Sequence, residues 1–263
     1  MTISIVIPVY NSAKILPVLI NKIIKNLKKS KITKFEVFLV NDSSLDNSWE
    51  VIKKFTNKKK YLKGINLDKN YGQHNAIAAG LYYCKNDLTI LMDDDMQHDP
   101  IYITQIINEL KKGFDACYVK YLKRKHSLWK KAVSKLNHIT SSFLAEKTVD
   151  IYASSFKGFN KKVRQKINGV KDKEIFLDWI IINNSSKIQS INIIHRERLK
   201  GITNYNLKKL FILWGIMILK IKNKNKIKKL IVFFISFFLI NPLMKLIKKE
   251  KNKEKFLIRE KTF

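Results

Sequence analysis

Leu88-Thr89-Ile90-Leu91-Met92-Asp93-Asp94-Asp95-Met96-Gln97 joins a short apolar run to three successive carboxylates. Leu88 to Met92 has the length and side chains of a buried strand, and the acidic half marks where that strand ends. Three carboxylates after a buried strand repel one another unless a cation or a set of donors sits among them. Asp93 and Asp95 are two apart, so on an extended segment they point to the same side and can face one divalent ion. Mg²⁺ or Mn²⁺ prefers such hard oxygen ligands and keeps open positions for a diphosphate.

Upstream, the pattern alternates. Residues 3 to 7 form a β-branched run ending at Pro8, and residues 35 to 40 form a second ending at Asn41-Asp42-Ser43-Ser44. Between them Ile15, Leu16, Leu19, Ile20, Ile23, Ile24 and Leu27 recur at helical spacing. Strand, helix, strand is the pattern of a parallel βαβ unit. A helix over Asn47 to Phe55, a strand over Lys63 to Leu67 and a helix over Asn75 to Tyr83 lead up to the Leu88 strand. This order predicts an α/β fold, a mostly parallel sheet covered on both faces. Ligands collect at the carboxyl ends of such strands, so the polar clusters after Ile7, Val40 and Met92 should converge on one crevice. Beyond Asp115 the pattern predicts a strand at Ala116 to Tyr121, a helix from about Lys130 to Leu144 and a strand at Lys187 to Ile194.

A chain of 263 residues suffices for one large α/β domain with an appendage. The formal charge of +31 favours anionic partners: phosphates, nucleic acid or anionic lipid. A basic nucleic-acid-binding module is suggested by charge alone, with no aromatic-lined or helical reading surface behind it, so no nucleic-acid partner is expected. Cys84 and Cys117 lack paired or metal-ligand spacing and read as reduced packing residues of a cytosolic compartment. The N-terminal run has no basic flank and reads as a first strand, not a secretion signal.

Four motifs in order resemble glycosyltransferase family 2, and within it the polyprenyl-phosphate and dolichyl-phosphate glycosyltransferases. They are Ile7-Pro8-Val9-Tyr10-Asn11, then Val40-Asn41-Asp42-Ser43-Ser44-Leu45-Asp46-Asn47-Ser48, then Asn70-Tyr71-Gly72-Gln73-His74-Asn75-Ala76, and Met92 to Pro100. The likeness runs from residue 3 to about residue 219. It implies a GT-A fold in which Pro8, Tyr10 and Asp42 line the base and ribose pocket of a nucleoside diphosphate sugar. Asn11 and Asn70 join that donor side, and Asp93, Asp95 and Gln97 hold the metal and the sugar diphosphate, Asp94 facing away. Two positions depart from the family: Ser43 stands where Gly is usual, so it either adopts a strained conformation or the turn differs, and Lys69 replaces Arg. His74 reads as a residue that caps or orients the following helix.

On the acceptor side, Arg198-Leu199-Lys200-Gly201-Ile202-Thr203-Asn204-Tyr205 looks like the family's Arg-x-x-Gly-x-Ser-x-Tyr element. Arg198 can pair with phosphate oxygens, Gly201 allows close backbone approach, and the Thr203 and Tyr205 hydroxyls add donors. Arg124 and Ser127, in a stretch crowded by Lys120, Lys123 and Lys125, match the family's acceptor loop. An inverting transfer to a phosphate needs no general base, whereas a hydroxyl acceptor, as on a growing cell-surface polysaccharide, needs one. Glu174, with Asp178 as the alternative, is the candidate carboxylate. With Asp95 and Arg198 it completes the expected catalytic set.

The expected division is a catalytic domain over 1–205 and a basic, apolar tail over 206–263. Leu230 to Ile240 is too short to span a bilayer. The tail is therefore expected to bear membrane-associated helices: 206–219 at the interface, lysines of 220–229 on anionic lipid, and 230–247 as one short inserted segment. That places the protein at the cytoplasmic face of the cell membrane.

Overall fold

The computed structural model describes residues 1–121, 154–170, 177–193 and 256–263. All of them belong to one of two compact units into which the chain divides. Eight strands form one sheet: β1 (Ile3–Val9), β2 (Phe35–Asn41), β3 (Leu62–Leu67), β4 (Leu88–Leu91), β5 (Ala116–Tyr121), β6 (Lys157–Asn160), β7 (Ile188–Ile193) and β8 (Ile258–Lys261). Their order across the sheet is β7-β5-β6-β4-β1-β2-β3-β8. The described helices are α1 (Leu16–Lys29), α2 (Ser48–Thr56), α3 (Gln73–Tyr83), α4 (Tyr102–Lys111), α5 (Lys161–Asn168) and α6 (Leu177–Asn184).

All residues of the central strand β1 are buried, as a strand covered on both faces requires. Ile3, Ile5, Ile7 and Val9 pack under α1, α2 and α4, where Leu16, Leu19, Ile20, Ile23, Ile24 and Leu27 form the buried stripe of α1. Each such side chain contributes roughly 1.5–3 kcal/mol of burial. Pro17 opens α1 and Lys28 and Lys29 close it, matching the ends of the helix dipole. On the opposite face α3 lies so close that a Cβ on Gly80 would stand 2.5 Å from Val6.

The sheet is mixed rather than mostly parallel. β3-β2-β1-β4 is a parallel block, but β6 runs antiparallel to both β4 and β5, and β8 antiparallel to β3. β7 restores the parallel sense beside β5. Helices α4 and α5 and strands β6 and β8 have no counterpart in the sequence reading. Asn160 caps α5 by accepting from the Val163 amide at 3.0 Å.

The last residues do not belong to a tail. Glu260 accepts from the Trp49 indole at 2.8 Å, Thr262 exchanges bonds with the Gly64 backbone, and the Phe263 ring stands against Phe38 and Tyr83. These contacts cover the edge of β3, which would otherwise offer unpaired backbone groups. Among the described residues no helix is long and apolar enough to cross a membrane. The helix expected at 130–144 and the segments 206–219, 220–229 and 230–247 lie outside the described residues.

Candidate functional site

The loops following β1, β2, β3 and β4 meet at the carboxyl end of the parallel block. Asp94 turns away from its neighbours: its Oδ2 accepts the Tyr10 amide at 3.0 Å and the Ser12 hydroxyl at 2.6 Å, stitching the β4 loop to the β1 loop. The Asn11 amide donates to Ser44 Oγ and its Oδ1 accepts from the Leu45 amide, joining the β1 and β2 loops. The Ala13 amide reaches Asp46 at 3.0 Å. Asp42 ties β2 to the β3 loop, each carboxylate oxygen accepting one amide, from Tyr71 and Gly72, at 2.8 Å. Burial raises the Asp42 carboxyl above its ordinary range and those two amides oppose the rise.

Backbone strain collects at the same place. Asn11 (φ 55), Ser43 (φ 53) and Met96 (φ 62) all adopt left-handed conformations, one at each of three strand ends. Of the alternatives open for Ser43, the chain takes the strained one. The Met96 turn is closed by the Gln97 amide on Asp95 Oδ1 at 3.0 Å.

Asp93 is held from two sides. Gln73 Nε2 donates to Oδ1 and Ser155 Oγ to Oδ2, both at 2.6 Å, and His98 Nδ1 lies 4.0 Å from Oδ2. Asp95 is buried. Burial pushes the Asp94 carboxyl up to about 6, the charges of Asp93 and Asp95 adding to the rise against the Ser12 and Tyr10 donors. Among the described residues no three His, Cys, Asp or Glu side chains form a metal cage. The loop instead offers two carboxylates and the Gln97 amide. Asp93 accepts one hydrogen bond per oxygen and keeps a lone pair on each. Such a set suits a hard cation that takes its remaining ligands from water and phosphate.

The other donor-side residues fall around this loop. Pro8 is buried in β1 opposite Val40, Tyr10 is half-buried, and Asn70 is exposed in the β3 loop. Lys69 stands over the Tyr71 ring at 5.0 Å. His74 does not cap α3; that place belongs to Gly72, and His74 makes no capping bond. Its buried Nδ1 has no hydrogen-bond partner, and burial pushes the imidazole down, the Lys157 charge assisting while Asp178 and Asp93 oppose. Asp178 is ion-paired with Lys157 and accepts the Tyr118 hydroxyl at 3.0 Å. Cys84 and Cys117 are free and buried. Glu174, Arg124, Ser127, Arg198, Gly201, Thr203 and Tyr205 lie outside the described residues.

Sequence reasoning passed over Ser155, Lys157 and Phe156. Nothing local marks them; they reach the site because β6 pairs antiparallel to β4, with Lys157 opposite Leu91. Gln73 and Ser12 stand within or beside the quoted motifs, and their donor chemistry was the available signal.

A GT-A-like sheet with an acidic loop at the carboxyl end of its fourth strand defines the class of the nucleotide-sugar transferase folds. Residues 4–168 match the family model Glycosyl transferase family 2, and the chain belongs to that family. Over 209 residues it is 29% identical to the undecaprenyl-phosphate 4-deoxy-4-formamido-L-arabinose transferase of Yersinia enterocolitica, covering 79% of this chain and 64% of that protein. The chain thus spans just under two thirds of the length of this curated relative. Among solved structures, glucosyl-3-phosphoglycerate synthase from Mycobacterium tuberculosis, in complex with Mn²⁺, uridine diphosphate and phosphoglyceric acid, superposes with a TM-score of 0.59. That match has 13% identity over 86% of this chain and 80% of that one. S. aureus TarS 1-349 in complex with UDP-GlcNAc gives 0.55 at 17% identity, over 87% and 69%. At such identities the likeness is one of fold.

Proposed function

We propose that this protein is an inverting glycosyltransferase that moves one sugar from a nucleoside diphosphate sugar to a polyprenyl phosphate or another membrane-linked acceptor. The observation that carries the reading is the convergence of four strand-end loops on Asp93 to Gln97, with Asp94 turned back onto the β1 loop and Asp93 oriented by Gln73 and Ser155. Support for the acceptor comes from the relatives, whose names specify undecaprenyl phosphate, and for a divalent cation from the Mn²⁺ in a structural neighbour.

Asp93, Asp95 and Gln97 would hold Mg²⁺ or Mn²⁺, which supplies charge neutralisation for the departing nucleoside diphosphate. Pro8, Tyr10, Asn11, Asp42 and Asn70 bound the donor side. Asp42 does so by fixing Tyr71 and Gly72. Arg198, Gly201, Thr203 and Tyr205, with Arg124 and Ser127, form the acceptor side, where cationic positioning suffices for a phosphate oxyanion. Asp178 is held at Oδ1 by Lys157 and the Tyr118 hydroxyl.

The catalytic domain comprises 1–205 together with the β8 strand, and the basic, apolar stretch from 206 to the start of β8 attaches it to anionic lipid at the cytoplasmic face.

The test is the full chain with membrane extract and a panel of radiolabelled sugar nucleotides. Divalent-dependent label in the lipid phase is expected. Label that moves only into water-soluble acceptors overturns the lipid acceptor, and transfer that persists in excess chelator overturns the cation.

A further inference from the structure

Of three consecutive residues ahead of and within β6, two grip the ends of the acidic loop and the third anchors the strand. Ser155 Oγ donates to Asp93 at 2.6 Å. The fully buried Phe156 ring stacks on His98, centroids 5.1 Å apart and planes within 19°. Lys157, only 4% exposed, sends its ammonium to Asp178 and lies 5.2 Å over the Tyr118 ring. Tyr118 is itself fully buried and donates its hydroxyl to the same Asp178 oxygen.

The register explains the reach. Lys157 lies opposite Leu91 on one side and Tyr118 on the other, so the antiparallel run carries Phe156 and Ser155 outward along Met92 and Asp93. A shift of β6 by one residue would turn Ser155 away from Asp93 and Lys157 to the other face. A buried ammonium tolerates no such shift, because leaving it unpaired is strongly destabilising. Asp178, in the first turn of α6, is the partner that fixes it there.

We infer that Lys157 and Asp178 are positioning residues for the donor site: the ion pair of buried Lys157 with half-buried Asp178 locks the register of β6, and Ser155 and Phe156 thereby hold Asp93 and His98. The inference rests on the proposed cation role of Asp93. It adds that the loop's geometry is set from α6 and β6 as well as from the loops of the parallel block. Groups that orient a metal-binding carboxylate commonly change metal affinity about 10- to 100-fold when lost.

The experiment uses the full chain carrying K157M/D178L, since removing both charges together leaves no ammonium buried alone. The expected result is a folded protein whose thermal midpoint is lowered by the Tyr118 hydroxyl that loses its acceptor, with amide exchange across residues 92–99 accelerated about 10-fold and Mn²⁺ affinity, read by spin resonance of the free ion, reduced about 10-fold. Unchanged exchange and unchanged Mn²⁺ affinity in the folded variant overturn the inference. Where K157M/D178L does not fold, Asp178→Asn takes its place with the same two readouts, removing the charge that pairs with Lys157 while keeping an acceptor for Tyr118. An Mn²⁺-indifferent unsubstituted protein overturns the cation reading alone, and the exchange rate then decides the positioning role by itself.

Discussion

The parallel block β3-β2-β1-β4 and the mixed block β6-β5-β7 are halves of one sheet built on different principles. In the parallel block each of the four strands is followed by a helix, and each loop after a strand is short, polar and strained or pinned. In the mixed block β6 is inserted antiparallel between β4 and β5. In the proposed function the first block carries the donor side, Tyr10, Asn11, Asp42, Asp95 and Gln97, with Asn11 and Asp42 acting through the loops they tie. The second braces them, with Ser155 on Asp93 and Phe156 on His98. A donor site of this kind is therefore shared between a half that displays and a half that holds.

Removing a displayed group should have the largest effect. Asp95→Ala is expected to lower transfer by on the order of 10²–10³-fold, with thermal stability little changed, measured by lipid-phase label and a melting curve. Near-normal activity would remove Asp95 from the site. The comparison also predicts that Asp94→Ala acts differently. It unties Tyr10 and Ser12, so it should lower stability as well as activity, by about 1–3 kcal/mol for the stranded buried donors.

Close packing tests the two blocks symmetrically. A Cβ on Gly80 meets Val6 at 2.5 Å and Val40 at 3.0 Å in the parallel block; one on Gly158 meets Ile106 at 2.5 Å and Ile90 at 2.6 Å in the mixed block. Ala at either position should destabilise by about 1–3 kcal/mol, read by urea titration. At Gly158, but not at Gly80, activity should fall further than stability, because β6 carries Ser155. Equal activity losses would make the division of labour untenable.

The same contrast explains what was legible in the sequence. Strand, helix and turn alternate locally through residue 92, so periodicity located β1 to β4 within a residue or two, and the convergence of their loops followed from topology. Asp94's outward turn also follows from the period of an extended chain. The brace was not legible. Ser155 follows Asp93 by 62 positions, and only the pairing of β6 brings them together. β8 was equally hidden, because Ile258–Lys261 is a short stretch with three charged residues of four that lies beyond a lysine-rich tail and becomes a strand through its partner β3. Of the two roles read for His74, capping falls because Gly72, at φ 87, already supplies the helix start.

At the far end of the mixed block, Asp115 accepts from the Ser186 and Lys187 amides and from Asn160. Partial burial would raise its carboxyl, but these three donors outweigh it and hold the group below its ordinary 3.8. A carboxylate with a depressed folded value stabilises above its unfolded value and loses that contribution as pH falls through the folded one. Asp115→Asn should therefore cost about 1 kcal/mol at neutral pH, with the gap between variant and parent closing below pH 3.8. A gap that persists in acid would assign the cost to shape rather than charge.

Ser43 gives the smallest and most specific test, and it belongs to the displaying half. Its φ of 53 puts a side chain where glycine is at ease. Ser43→Gly relieves that strain but frees the unfolded chain, so a net gain of about 0.5–1 kcal/mol is expected. The neighbouring contacts do not depend on the Ser43 side chain: Ser44 holds Asn11 and Asn41, and Asp42 holds Tyr71 and Gly72. Donor affinity should accordingly stay within about twofold. A gain in stability with a loss of affinity would mean that the strain itself presents the β2 loop to the ligand, as strained backbone does at other functional sites.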